Sequence, residues 1–191
     1  MISRTHDVGA FASLLTAAVY SPPNSLNLTT AILCLTGNIF GSLLPDIDQS
    51  SNQLWNLIPA GNSLGKVFRK LFLAHRTISH SLLGIFLVYK LVWWILPKIL
   101  NPNTMDINLI IYAIMIGFIS HLLLDCFTEE GLPLFFPFKI KIGFPPIASW
   151  RIKTGKNFEK IIVFPGIIVY SFWFGINNQE KIITILKLIK L

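Results

Sequence analysis

Apolar and polar positions along the chain alternate in long blocks rather than residue by residue. No charge occurs between Val8 and Pro45, and Pro22-Pro23-Asn24 divides that stretch. The pattern predicts two helices, 8–21 and 28–44, joined by a short turn, because proline breaks the run where no further signal resumes it. Three further apolar runs cover about 80–96, 107–127 and 161–177. The run at 107–127 is the clearest membrane span, about 20 residues rich in Ile, Leu, Met and Ala. From Ile182 to Leu191, Lys187 and Lys190 interrupt an apolar surface, as in a short helix lying in a membrane interface. The expected fold is all-α: a polytopic membrane bundle of four or five apolar helices, one domain over residues 1–191. Its polar motifs fall within 1–160, and 161–191 forms a C-terminal helix and amphipathic tail.

Composition sharpens this. Of 191 residues only 13% are charged and 53% are hydrophobic, with 15 Phe and 5 Trp, and the mean hydropathy is +0.63. Soluble domains carry about 25% charge, so neither a simple globular enzyme nor a disordered chain fits. The net charge of +7 comes from Lys and Arg spread over several loops. No basic helix or nucleic-acid-reading motif accompanies it, so contact with anionic lipid is expected and nucleic acid is not. Cys34 and Cys126 lie in apolar segments without metal or redox spacing and read as small hydrophobic residues. Arg4 followed by an apolar run imitates a signal peptide, but cleavage would remove His6, and the segment is expected to stay.

The cations set an orientation. With the N-terminus inside, the inner segments hold Arg4, Lys66, Arg69, Lys70, Arg76, Lys139, Lys141, Arg151, Lys153, Lys156 and Lys160. The outer ones hold Lys98, Lys181, Lys187 and Lys190. By the positive-inside bias, loops 45–80 and 128–160 face the cytoplasm.

Histidine and most acids gather in short clusters at the inner ends of these runs: Thr5-His6-Asp7, Pro45-Asp46-Ile47-Asp48, His75 to Ser81, Ser120 to Asp125, and Gly155 to Glu159. His121 and Asp125 are four apart on a helix and share a face. An acid at that depth is costly unless paired or metal-bound, and imidazole with carboxylate suits Zn²⁺, Mn²⁺ or Fe²⁺. A plain His–Asp hydrogen bond packing the helix is the competing reading. Asp46 and Asp48 follow Pro45; in an extended segment both carboxylates point one way, toward a cation, or else they cap the helix before them. His75 is expected in the loop and His80 at the start of the third helix. Arg76 either grips a phosphate or only obeys the positive-inside bias. Glu129-Glu130 reads as a solvated helix end before Gly131. Glu159 is either a ligand or an ion-pair partner of Lys160 or Lys156.

Together His6, Asp46, Asp48, His75, His80, His121 and Asp125 suffice for one or two divalent ions with open positions, with Glu159 an eighth candidate. Two-metal sites activate water and act typically on phosphoesters. Asp48 or Glu159 would serve as general base and Arg76 as phosphate clamp. The 132–144 segment, rich in Phe, Leu and Ile, would guide a lipid inward. Two other readings use the same residues: a divalent metal-ion transporter or sensor, and a scaffold whose polar clusters tie helix ends together.

The order His6, LPDID at 44–48, HRTISHS at 75–81 and SHLLLDCFTEEGLPLFFPF at 120–138 resembles the YdjM family, bacterial membrane proteins described as membrane-bound metal-dependent hydrolases. The resemblance runs to about Glu159. It departs at Gln49, where members often have His, and at Thr77, where a small residue is usual. It implies a helical fold in the bacterial cytoplasmic (inner) membrane, with the site facing the cytoplasm and built from these His and Asp residues. A looser similarity to zinc-dependent phospholipase C and the P1-type nucleases implies a small or lipid-like phosphoester as substrate. Membrane lipid is then the expected partner.

Overall fold

The computed structural model describes residues 1–47, 78–138 and 140–190. Six α-helices are seen among them: α1 Ser3–Tyr20, α2 Leu28–Leu43, α3 Leu82–Ile99, α4 Ile107–Cys126, α5 Phe164–Asn177 and α6 Gln179–Lys187. A π-helical turn, Glu159–Val163, leads into α5. Side chains close several starts: Asn27 accepts from Thr30 N–H at 2.7 Å, Ser81 from Gly84 N–H at 3.1 Å, and Asp106 from Leu109 N–H at 3.1 Å. Each satisfies a donor that the first helical turn leaves open.

Three helical stretches are long and apolar enough to cross a membrane, α3, α4 and Glu159–Asn177, and α2 is a shorter apolar helix. At 1.5 Å per residue α2 reaches about 24 Å, against a hydrocarbon core of about 30 Å. The buried share of each stretch separates their roles: 61% for α4 against 6% for α3 and 11% for Glu159–Asn177. So α4 is the central post, and the other two turn their apolar faces outward, as lipid-facing helices do.

The α2–α4 contact is close because small residues line it. A Cβ on Gly41 would collide with the Ile114 carbonyl, and one on Gly117 with the Asn38 carbonyl. Gly37 and Gly41 have the four-residue spacing that lets membrane helices approach closely. Buried Asn38 then donates from Nδ2 to the Ala113 carbonyl at 3.0 Å, a link that fixes register between the two helices.

Three boundaries differ from expectation. Helix α1 begins at Ser3, not Val8, because its first polar turn finds partners at the other helix ends. The segment after α2 is a turn and not extended: Leu44 keeps right-handed helical angles before Pro45, and Ile47 N–H reaches the Leu44 carbonyl at 3.1 Å. The tail helix expected to run to the end stops at Lys187, and β2 (Ile189–Lys190) pairs in parallel with β1 (Leu26–Asn27), just after the proline break.

Candidate metal centre

Chain direction alternates from helix to helix, so several distant polar motifs reach one end of the bundle. His6 lies in the first turn of α1, Asp46 in the turn after α2, His80 in the turn before α3, and His121 and Asp125 on the last turns of α4. All three imidazoles and Asp125 are at most 1% exposed. Two overlapping sets result, His6–His121–Asp125 and Asp46–His80–His121, each with donor atoms within 4.8 Å of one another.

The separations define what these groups can do. His6 Nε2 lies 3.3 Å from Asp125 Oδ1. His80 Nε2 lies 3.5 Å from Asp46 Oδ1 and 3.7 Å from Asp125 Oδ2. His121 Nε2 lies 3.8 Å from Asp46 Oδ1 and 3.7 Å from Asp125 Oδ2. Good N–H···O bonds run to about 3.2 Å. Neighbouring ligands on a tetrahedral Zn²⁺ with bonds of about 2.0–2.1 Å stand about 3.3–3.4 Å apart. The set is therefore loose as a hydrogen-bond network and close to the edge lengths of a coordination shell. Among the described residues no hydrogen bond ends on His121 Nε2 or His6 Nδ1, although both atoms are buried. A buried imidazole nitrogen left so is costly unless something else satisfies it, and the residues present fit a divalent cation.

Outer contacts aim these side chains. His121 Nδ1 is 2.6 Å from the Ser42 carbonyl, which accepts only if Nδ1 carries the proton; Nε2 then turns its lone pair inward. Ser79 Oγ bonds His80 Nδ1 at 3.0 Å. The His6 and His121 rings stack, centroids 3.6 Å apart and planes 9° off parallel. Asp125 Oδ1 also meets the Met1 amino nitrogen at 2.5 Å. Burial opposes ionisation of Asp46, but the adjacent imidazoles of His80, His121 and His6 outweigh it and hold the carboxyl well below the usual carboxylate range.

Of the residues singled out from the sequence, His6, Asp46, His80, His121 and Asp125 come together here. Asp48, His75 and Arg76 lie outside the described residues. Glu159 is fully buried, but neither expected lysine is its hydrogen-bond partner. Its Oε1 accepts from Ile2 N–H and its Oε2 from Gly155 N–H, each at 2.7 Å. Gly155 adopts a φ of 74°, which favours glycine. Glu129 pairs at the surface with Lys153, Nζ to Oε1 3.6 Å, in keeping with a solvated helix end. The sequence predicts Ser79 or Ser81 as the cap of the third helix, and Ser81 is the cap; the sequence reading missed Ser42, the bond from Ser79 to His80 and the close approach of α2 and α4 at Gly41 and Gly117. The Gly37–Gly41 spacing was a visible signal for the last, whereas a backbone carbonyl leaves none.

The family model described as YdjM inner membrane protein matches residues 1–189. The chain is 30% identical over 174 residues to the uncharacterized protein YvsG of Bacillus subtilis (strain 168), covering 91% of this chain and 94% of that one. It is 25% identical over 150 residues to the inner membrane protein YdjM of Escherichia coli (strain K12), covering 75% and 67%. No solved structure matches it.

Proposed function

The chain belongs to the YdjM inner membrane protein family, and on that premise we propose that it is a metal-dependent hydrolase of the bacterial inner membrane, acting on an amphiphilic phosphoester. One observation carries the reading. Asp125 directs Oδ1 toward His6 and Oδ2 toward His80 and His121, so a single carboxylate faces three imidazoles, while His121 belongs to both donor sets.

A divalent cation, Zn²⁺ before Mn²⁺ or Fe²⁺ given the imidazole-rich set, polarises a phosphoryl oxygen and makes water nucleophilic near neutral pH when bound. The chain's own part is to hold and shield. His6, His80, His121, Asp46 and Asp125 hold the ion, and the Ser42 carbonyl and Ser79 hydroxyl orient two of the rings. Phe118, Leu122 and Leu132 form a buried apolar layer packed against Leu44 and Cys126, which flank the centre in sequence. His75 is assigned as a further ligand and Arg76 as the phosphate clamp, since both stand within five residues of His80. Glu159 spends both oxygens on backbone donors, so proton transfer is assigned to Asp48. The excess of Lys and Arg in the sequence segments on this side of the apolar runs favours a centre facing the cytoplasm, by the positive-inside bias.

Elemental mass spectrometry of purified protein tests the reading, with His121→Ala and Asp46→Ala beside the wild type. One or two equivalents of metal in the wild type, lost in the variants together with phosphate or headgroup release from phospholipid vesicles, is the expected result. Hydrolysis surviving in His121→Ala with metal content unchanged would sink it. Bound metal without hydrolysis, but with ion uptake into proteoliposomes that Asp125→Asn abolishes, would make the protein a transporter instead.

A further inference from the structure

Between α4 and the π-helical turn, the described residues of 127–158 build a platform of turns, isolated bridges and one 3₁₀ turn, Ala148–Trp150, stitched to the metal-centre end of the bundle. Leu82 N–H, two residues after His80, donates to the Leu134 carbonyl at 3.0 Å, and Phe144 N–H to the Cys126 carbonyl at 2.8 Å. Leu132 bridges Ile142, and Thr128 bridges Ile152. Arg151 binds the carbonyls of Pro145 through Nε at 2.6 Å and Pro146 through Nη2 at 2.7 Å. The platform is thus ordered by its own backbone, and its inner face buries Leu132 against Phe118 and Leu122.

Its outer face is the anomaly. Phe138 is 68% exposed, Phe144 61% and Trp150 72%, with Phe135, Ile140 and Ile147 at least half exposed. Soluble surfaces do not carry so many large apolar side chains on one short loop. Cations accompany them: Lys139, Lys141, Arg151, Lys153, Lys156 and Lys160 against Glu129, Glu130 and Glu159. Lys141, Lys156 and Lys160 are exposed, while Lys153 has Glu129. Apolar and aromatic side chains with flanking cations, at the level where spanning helices end, match the chemistry of an anionic headgroup layer.

We propose that the 127–158 platform lies in the headgroup–acyl boundary of the leaflet at the metal-centre end. Phe138, Phe144 and Trp150 dip below the headgroups, and Lys141, Lys156 and Lys160 contact anionic lipid. The His/Asp centre would then open beside lipid headgroups, not on free solvent, yet the inference stands on exposure and charge alone. It survives if the hydrolase reading fails.

The test needs neither metal nor turnover. An environment-sensitive fluorophore is attached at Trp150→Cys, and separately at Phe138→Cys, in a Cys34→Ala/Cys126→Ala background. The labelled full chain is reconstituted in phosphatidylcholine vesicles with or without phosphatidylglycerol. Expected are blue-shifted emission, strong quenching by doxyl-labelled lipid, little quenching by aqueous iodide, and a deeper position with phosphatidylglycerol. Ready quenching by iodide would overturn the proposal. Shielding from both quenchers would also overturn it, because protein and not lipid would cover the face. Identical quenching in the two lipid mixtures would remove the anionic headgroup from it.

Discussion

The Ser42 carbonyl lies 2.6 Å from His121 Nδ1, joining the last turns of two helices whose backbones touch at Gly41 and Gly117. One contact of the fold thereby sets which nitrogen of one candidate ligand carries the proton. With its proton held at Nδ1, the ring can present only the Nε2 lone pair to Asp46, Asp125 and a cation between them.

Gly41→Ala should separate α2 from α4, because its methyl meets the Ile114 carbonyl. The Ser42 carbonyl would move with it. Overpacking of this kind costs about 1–3 kcal/mol, and losing an orienting contact lowers metal affinity about 10–100-fold. Thermal melts and metal titration measure the two effects. Unchanged affinity in a destabilised protein would separate helix packing from ligand orientation.

Metal removal should destabilise the wild type and leave Asp125→Asn unmoved. A ligand bound at 100 times its Kd stabilises by about 2.7 kcal/mol, so a chelator should lower the wild-type melting temperature by several degrees. The variant keeps the shape of the side chain but loses the charge that faces three imidazoles. Equal chelator sensitivity in both proteins would show that Asp125 takes no part in binding.

Asp46 provides a pH test in metal-free protein. The neighbouring imidazoles hold its carboxyl below the ordinary carboxylate range, so the unfolded chain binds its proton first as pH falls. Its contribution is therefore fully present above about pH 4 and is lost as pH drops through the folded value. The difference in melting temperature between wild type and Asp46→Asn should hold steady through neutral pH and shrink in strong acid. A difference independent of pH would mean that the ionised form is not what His80 and its neighbours stabilise.

Much of this architecture is readable from residue order because the bilayer leaves few choices. Apolar runs of span length must alternate in direction, so His6, Asp46, His80 and Asp125, each at a run's polar end, gather on one side. The i, i+4 spacing of His121 and Asp125 then needs only a helix. What escaped that reading depends on partners distant in sequence or without side-chain identity. Ser42 acts through its carbonyl. Glu159 meets Ile2 across 157 positions. The parallel pairing of Leu26–Asn27 with Ile189–Lys190 involves two residues a side, too few to make a pattern. Leu44 stayed helical before a proline because the turn it opens hands Asp46 to His80.

Glu159 gives the last prediction, since ligand and clasp lead to different results. Its two oxygens hold Ile2 and Gly155 at 2.7 Å each, and hydrogen bonds to a charged group contribute about 1.5–3 kcal/mol apiece. Ile2 stands immediately before α1, four residues ahead of His6, so releasing it frees the first turn that carries a ligand. Glu159→Gln turns one acceptor into a donor facing a donor, and should lower the melting temperature and weaken metal binding. At saturating metal the stoichiometry should be the wild type's, because all five gathered His and Asp donors remain. Glu159→Ala should go further in the same direction. A Glu159→Gln protein that folds normally but has lost a full equivalent of metal, even at saturation, would make Glu159 a ligand and reopen its role in proton transfer.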